Sequence, residues 1–170
     1  MVKAKHLVSL LCSSLLLLTP TLQAEEQPVA VNIKRLSMEM ALRLAQASIE
    51  ACRAEGVQIA VTVVDRGGHP QVVLRDVLAM DLTLPISQRK AYTAMSFNSP
   101  TSKLTGRFSG SYAIAKLDSL VISAGGVPIN AGGTIYGGVG VSGAPSGETD
   151  EKCAQAGVDA ILPDLEMAGF

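Results

Sequence analysis

Apolar positions at Met38, Ala41, Leu42, Ala45, Ile49 and Cys52 recur at i, i+3, i+4 and i+7 spacing, which predicts a helix over 38–55. Ser37 is a suitable N-cap and Gly56 a suitable stop. Periodicity then shortens. Residues 57–64 (VQIAVTVV) are rich in β-branched side chains and read as a central strand. The Asp65-Arg66-Gly67-Gly68 turn returns the chain into 71–75 (QVVLR), which predicts a hairpin.

After a connection over 76–84, Pro85 can occupy the first turn of a helix running to about Asn98. Its faces are mixed. Ile86, Lys90, Thr93 and Phe97 share one side, and Arg89, Tyr92 and Ser96 share another. A second short helix is expected over 100–104, and irregular structure over 108–117. Residues 120–123 read as a strand broken by Gly125-Gly126. Residues 127–129 continue extended, with Pro128 requiring an edge or bulge position. The pattern ends in a glycine-loaded strand around 137–141, a turn at 144–147, and a helix from near Ser146 or Thr149 to near Ile161, before Pro163.

That order of elements predicts a single α+β domain built on a mainly antiparallel sheet. Glycines in a strand interior give up side-chain packing where something must approach closely. What comes close to Gly137, Gly138 and Gly140 can be a helix, another backbone or a ligand, and the residues alone leave that open.

Composition narrows the reading. The 170 residues are 48% hydrophobic but only 4% aromatic, with no Trp, so the core must be aliphatic. A formal net charge of -1 gives no basic nucleic-acid surface. No GxxxxGK[ST] or CxxC pattern occurs. Lys3 and Lys5 precede an apolar run from Leu7 to Leu18, a break at Pro20, and Ala24 where a signal peptidase would cut. The organisation expected is a signal peptide over 1–24, a flexible lead-in over 25–36 and a domain over 37–170. The apolar run is shorter than the ~20 residues a span needs. Export to the periplasm or the extracellular space is therefore expected, without stable membrane insertion after cleavage. Cys12 would leave with the leader. An oxidising compartment permits a disulfide between Cys52 and Cys153, although the helical pattern favours Cys52 as a buried thiol.

Site chemistry is sparse. His69, beside the hairpin turn, is the one histidine beyond the leader. It has the right chemistry for a haem or metal ligand, whereas a lone His beside a turn is more often solvated. No nucleophile–base pair stands out.

Five stretches in order, AVTVVDRGGHPQVVLR, QRKAYTA, SPTSKL, SAGGVPI and GGVGVSGAPSGETDEKCAQAGVDAI, resemble the GlcG/HbpS-like haem-binding family. The likeness covers roughly 38–161. It implies a profilin-like fold, a five-stranded antiparallel sheet with helices on both faces, in homo-oligomers that are tetramers or octamers. In that fold the turn after the glycine strand launches the C-terminal helix back across Gly137, Gly138 and Gly140. The resemblance also implies haem or a related tetrapyrrole as ligand, in a sequestration, storage or sensing role. The alternatives are a haem-degrading or small-organic-acid (glycolate-pathway) enzyme, and an oligomer binding ferric iron.

Within that resemblance, Lys90 and Thr93 of the KAYTA match are the first site candidates. Arg75, Arg89 and Arg107 are further partners for haem propionates, and Tyr92 and Met95 could contact a porphyrin face. Glu148 and Glu151 form an ExxE pattern that related exported proteins link with iron. Acidic residues at a helix start also offset the macrodipole without a metal. The run Asp76-Val77-Leu78-Ala79-Met80-Asp81 departs from the Met-Asp-Gly-Ala-like run of many members.

Overall fold

A computed structural model describes residues 28–108 and 114–168. The leader expected over 1–24, the start of the lead-in and part of the 108–117 connection lie outside the described residues. Residues 28–31 fall in a separate N-terminal unit and form neither helix nor strand; all that follows concerns the unit from Asn32 onward.

The first helix, α1, spans Met38–Ala54, with the Ser37 hydroxyl accepting the Met40 N–H at 3.3 Å. The hairpin pairs β1 (Ala60–Asp65) with β2 (Pro70–Arg75). Helix α2 covers Thr83–Phe97, and Asn98 in the left-handed region ends it. A 3-10 turn over Thr101–Leu104 follows. Strands β3 (Gly126–Ala131) and β4 (Thr134–Ser142) form the second hairpin, and α3 covers Gly147–Asp159 behind the Ser146 cap. The chain does not stop at Pro163: a further helix, α4, spans Leu162–Ala168. Pro163 sits in its first turn, where a missing N–H costs nothing.

The sheet is antiparallel in the order β2-β1-β4-β3. It has four strands among the described residues, not five. Residues 120–123 form no strand, because the Val121 N–H is taken by the Thr93 hydroxyl at 3.1 Å rather than by a neighbouring strand. Pro128 lies on edge strand β3, with a register shift at Ile129/Asn130.

Both central strands are buried on both faces, and each face has its own chemistry. Val61, Val63, Val139 and Val141 point into the main core with Leu44, Ala45, Ile129, Cys153 and Ala154, beneath α1 and α3. Thr62, Val64, Gly138 and Gly140 point to α2. Thr62 and Ser87 share a hydroxyl hydrogen bond of 2.8 Å, and Val64 packs on Ala91 and Met95.

The glycines are explained on that second face. A Cβ on Gly138 would lie 2.5 Å from the Ala91 carbonyl oxygen, and one on Gly140 would lie 2.0 Å from that of Ser87. The helix that comes close is therefore α2, not the C-terminal helix expected from sequence. Helix α3 packs instead on the valine face, against α1. There a Cβ on Gly157 would meet the Leu44 carbonyl at 2.7 Å, which fixes how tightly the two helices cross.

That crossing also corrects the reading of the cysteines. Cys52 and Cys153 form a disulfide joining α1 to α3, with Cα atoms 5.5 Å apart. The helical stripe placed Cys52 in the core, which holds, but the residue is not a free thiol. Its stripe meets Cys153 because small residues at the crossing bring the two backbones close.

Candidate functional site

Helix α2 divides the site candidates between two faces. Lys90, Thr93 and Met95 lie on its buried side. The Lys90 ammonium donates to the Asp150 carboxylate at 2.8 Å and to the Val141 carbonyl at 3.0 Å. Gly125 leaves room for it, since a Cβ there would sit 2.5 Å from Nζ. Asp150 also accepts the Ala144 N–H at 2.9 Å. Burial pushes the Asp150 carboxyl up, against the pull of Lys90 and the Ala144 amide. The Thr93 hydroxyl donates to the Arg89 carbonyl at 2.7 Å while accepting from Val121. Met95 packs under the β1–β2 turn, its sulfur 3.5 Å from Arg66 Nη1.

The outward stripe of α2 is different. Pro85, Gln88, Arg89 and Tyr92, at i, i+3, i+4 and i+7, floor a surface cleft of about 580 Å³. Gly68 of the β1–β2 turn and Asp118 and Ser119 of the returning segment form its rim. A Cβ on Gly68 would meet the Tyr92 ring at 2.6 Å, so the turn backbone lies directly on the aromatic. Arg89 is exposed and makes no ion pair or side-chain hydrogen bond among the described residues.

The turn itself is held by Asp65. Its carboxylate accepts the N–H groups of Gly67 at 2.8 Å and His69 at 3.0 Å, and pairs with Arg35 at 3.2 Å. Burial would raise this carboxyl, but those amides and the charges of Arg35 and His69 hold it below its ordinary value. The His69 ring, 79% exposed, stands 3.5 Å from Asp65 through Nδ1, next along the chain from the cleft's Gly68.

The remaining candidates are elsewhere. Arg75 bonds to the Ala79 carbonyl and pairs with Asp81 at 3.0 Å, beside a separate groove between α1 and β2. Arg107 lies over the Phe108 ring, 5.8 Å from its centroid. The ExxE pair is split. Glu151 uses both oxygens internally, accepting the Ser102 N–H at 3.0 Å, the Gly125 N–H at 3.2 Å and the Ser102 hydroxyl. Glu148 is exposed at the start of α3, held low by the backbone amide there and the Ser146 hydroxyl. Among the described residues no group of three or more His, Cys, Asp or Glu side chains could hold a metal.

Of the site candidates, the structure thus brings Tyr92 and Arg89 together, while His69 does not line their cleft and turns its ring to Asp65. Gln88, Asp118 and Ser119 were not singled out in the sequence. Gln88 was legible there, because it completes the 85–88–89–92 stripe. Asp118 and Ser119 carry no such signal, since they arrive through an irregular segment.

Comparison with known proteins places these features in context. The family described as "Haem degrading protein HbpS-like" matches residues 36–159. An uncharacterised 15.0 kDa protein of Citrobacter freundii is 32% identical over 136 residues, 76% of this chain and 94% of that protein. The crystal structure of a Streptomyces reticuli HbpS double mutant superposes with a TM-score of 0.75 at 36% identity, covering 81% of this chain and 94% of that one. A PduOC:heme complex superposes with a TM-score of 0.70 at 27% identity, covering 75% and 95%.

Proposed function

This chain belongs to the HbpS-like family, and from that premise we propose that it is an exported haem-binding protein, holding the porphyrin in the Tyr92 cleft. The observation that carries the reading is the cleft itself, an aromatic ring and a cation with no ion pair among the described residues, side by side on one helix stripe. Its volume of about 580 Å³ falls in the ~300–1,000 Å³ range of small-molecule sites. The likeness to a protein solved as a haem complex supports the choice of ligand.

The residues present fit such a group. Tyr92 offers a ring face for stacking, fixed from above by the backbone at Gly68. Arg89 offers a guanidinium for a propionate, with no ion pair among the described residues, although the Asp118 carboxylate shares the cleft. His69 is outside the cleft lining, its Nδ1 3.5 Å from Asp65, so Tyr92 and Arg89 are the contacts proposed. Haem bound there would supply the iron chemistry, and the protein's part is to hold and orient it. Lys90 and Thr93 support the site from beneath: Lys90 ties α2 to α3, and Thr93 anchors the segment that carries Asp118 and Ser119 into the rim.

Export is supported by the leader pattern and by the Cys52–Cys153 disulfide, since such bonds persist in oxidising compartments. A homo-oligomer is supported by the exposed apolar run of Val77, Leu78, Met80 and Leu82 between β2 and α2, the kind of patch that marks an interface.

A hemin titration followed by the Soret band tests the ligand. Saturable binding is expected, weakened about tenfold in Arg89→Ala by loss of one charge-assisted hydrogen bond, and further in Tyr92→Ala. Absence of a band at saturating hemin would sink the reading, and full affinity in both variants would move the site elsewhere. Decay of the band with peroxide, or with reductant in the presence of dioxygen, and release of a linear tetrapyrrole, would assign degradation rather than holding.

A further inference from the structure

A second cleft, of about 430 Å³, includes Arg66 of the β1–β2 turn and shares no lining residue with the Tyr92 cleft. The segment before α1 runs past the β3–β4 hairpin there. Lys34 and Arg66 both line it, and no acidic side chain does.

The charges nearby are accounted for. Arg35 is paired with Asp65 at 3.2 Å, and His69 faces the same carboxylate. Both oxygens of Asp65 are thereby used, one by Arg35 and the other by the Gly67 and His69 amides. Lys34 and Arg66 are left without a carboxylate partner among the described residues. Arg66 has five N–H donors, and its described contact is one weak approach from Nη1 to the Met95 sulfur at 3.5 Å, which leaves the rest of the fork available. Two cations without a carboxylate partner among the described residues thus share one concavity, in a chain whose formal net charge is -1.

The remaining walls are suited to a small ligand. Ile33 and Ile135 supply apolar surface, and Thr134 a neutral hydroxyl. Gly133, at φ +77, turns the hairpin, and a Cβ built on it would meet nothing within 4 Å, so its backbone is open to approach. Cations converging beside apolar side chains match an acid head on an apolar body.

We infer that this cleft is a binding site for a small amphiphilic anion, a carboxylate or phosphate carried on a short hydrocarbon body, with Lys34 and Arg66 holding the head and Ile33 and Ile135 the body. The inference stands apart from the haem reading, because neither its residues nor its cleft are used there.

Octanoate and octyl phosphate, titrated into the full folded chain and followed by amide chemical shifts, are the probes. Saturable shifts at Gly133 and Thr134 are expected with at least one of them, the tighter one naming the head group. Affinity should fall at least about tenfold for acetate, which lacks the body, and at least about tenfold in Lys34→Gln/Arg66→Gln. Lys34→Glu, which touches no described hydrogen bond, should weaken both probes by a similar factor, while hemin affinity stays unchanged in all variants. Three results would overturn the site: no saturable shift, equal affinity for acetate and octanoate, or undiminished binding in the double variant and in Lys34→Glu.

Discussion

Lys90 of α2 and Asp150 of α3 meet at 2.8 Å with both side chains only 4% exposed, joining helices that lie on opposite faces of the sheet. The pair sits where β4 ends, with the Val141 carbonyl and the Ala144 amide satisfying the remaining polar groups. Removing one partner leaves a buried charge without compensation, whereas removing both does not. Lys90→Met should therefore destabilise the protein by about 3–5 kcal/mol. The double change to Lys90→Met with Asp150→Leu should recover more than half of that loss. Urea unfolding of the single and double variants measures it, and additive losses would show that the pair is not coupled.

The glycine face of β4 admits the α2 backbone, and its tolerance is correspondingly small. A methyl group on Gly140 would stand 2.0 Å from the Ser87 carbonyl oxygen, which belongs to the helix backbone and cannot swing aside. Gly140→Ala is expected to cost at least about 3 kcal/mol, at or beyond the usual range for overpacking. Gly56→Asn serves as the contrast. Its position has φ +75 but open space around it, and Asn tolerates that region, so the change should cost under about 1 kcal/mol. Comparable losses in the two variants would refute close packing as the reason for the glycines.

Much of this was legible in the sequence. The stripe from Met38 to Cys52, the Ser37 cap and the Asp65–Gly68 turn each rest on local chemistry, and each appears where local chemistry puts it. What depends on contacts between distant segments was harder to read. Lys90 and Arg89 are adjacent in sequence and about 100° apart on a helix, and here Lys90 is buried while Arg89 is exposed. Which of the two is buried depends on whether α2 or α3 lies on Gly138 and Gly140, and no periodicity within α2 decides that. The same holds for Val121: its residues favour a strand, but its N–H meets a threonine on α2 instead.

The Asp65 carboxyl gives the fold a defined acid sensitivity. Its pKa in the folded state lies below the unfolded value, about 3.9. The folded protein therefore binds fewer protons, and the stabilisation is complete above that value and is lost as pH falls through the folded pKa. Asp150 is shifted upward, so its contribution has the opposite sign and is best removed by comparing two chains that both keep it. The difference in melting temperature between the parent chain and Asp65→Asn should accordingly be largest near neutral pH and shrink toward pH 2. A difference independent of pH would mean that Asp65 acts through the shape of the turn alone.

The disulfide bears on stability and on the export proposed above. Cys52 and Cys153 are 101 residues apart in sequence, so the bond closes a long loop in the unfolded chain. Chain-entropy arguments give about 4.7 kcal/mol for a loop of about 100 residues, with measured values usually near 2–5. Because both sulfurs lie in the core between α1 and α3, reduction also leaves two buried thiols whose packing still favours the fold. The reduced protein should thus remain folded at moderate temperature while losing about 2–4 kcal/mol. Urea unfolding of the protein with and without reductant measures the difference, with thiol alkylation and mass spectrometry reporting the redox state. Protein isolated from the periplasm or medium should resist alkylation until it is unfolded and reduced. Recovery of two alkylatable cysteines after unfolding without reductant would remove both the bond and the support it lends to export.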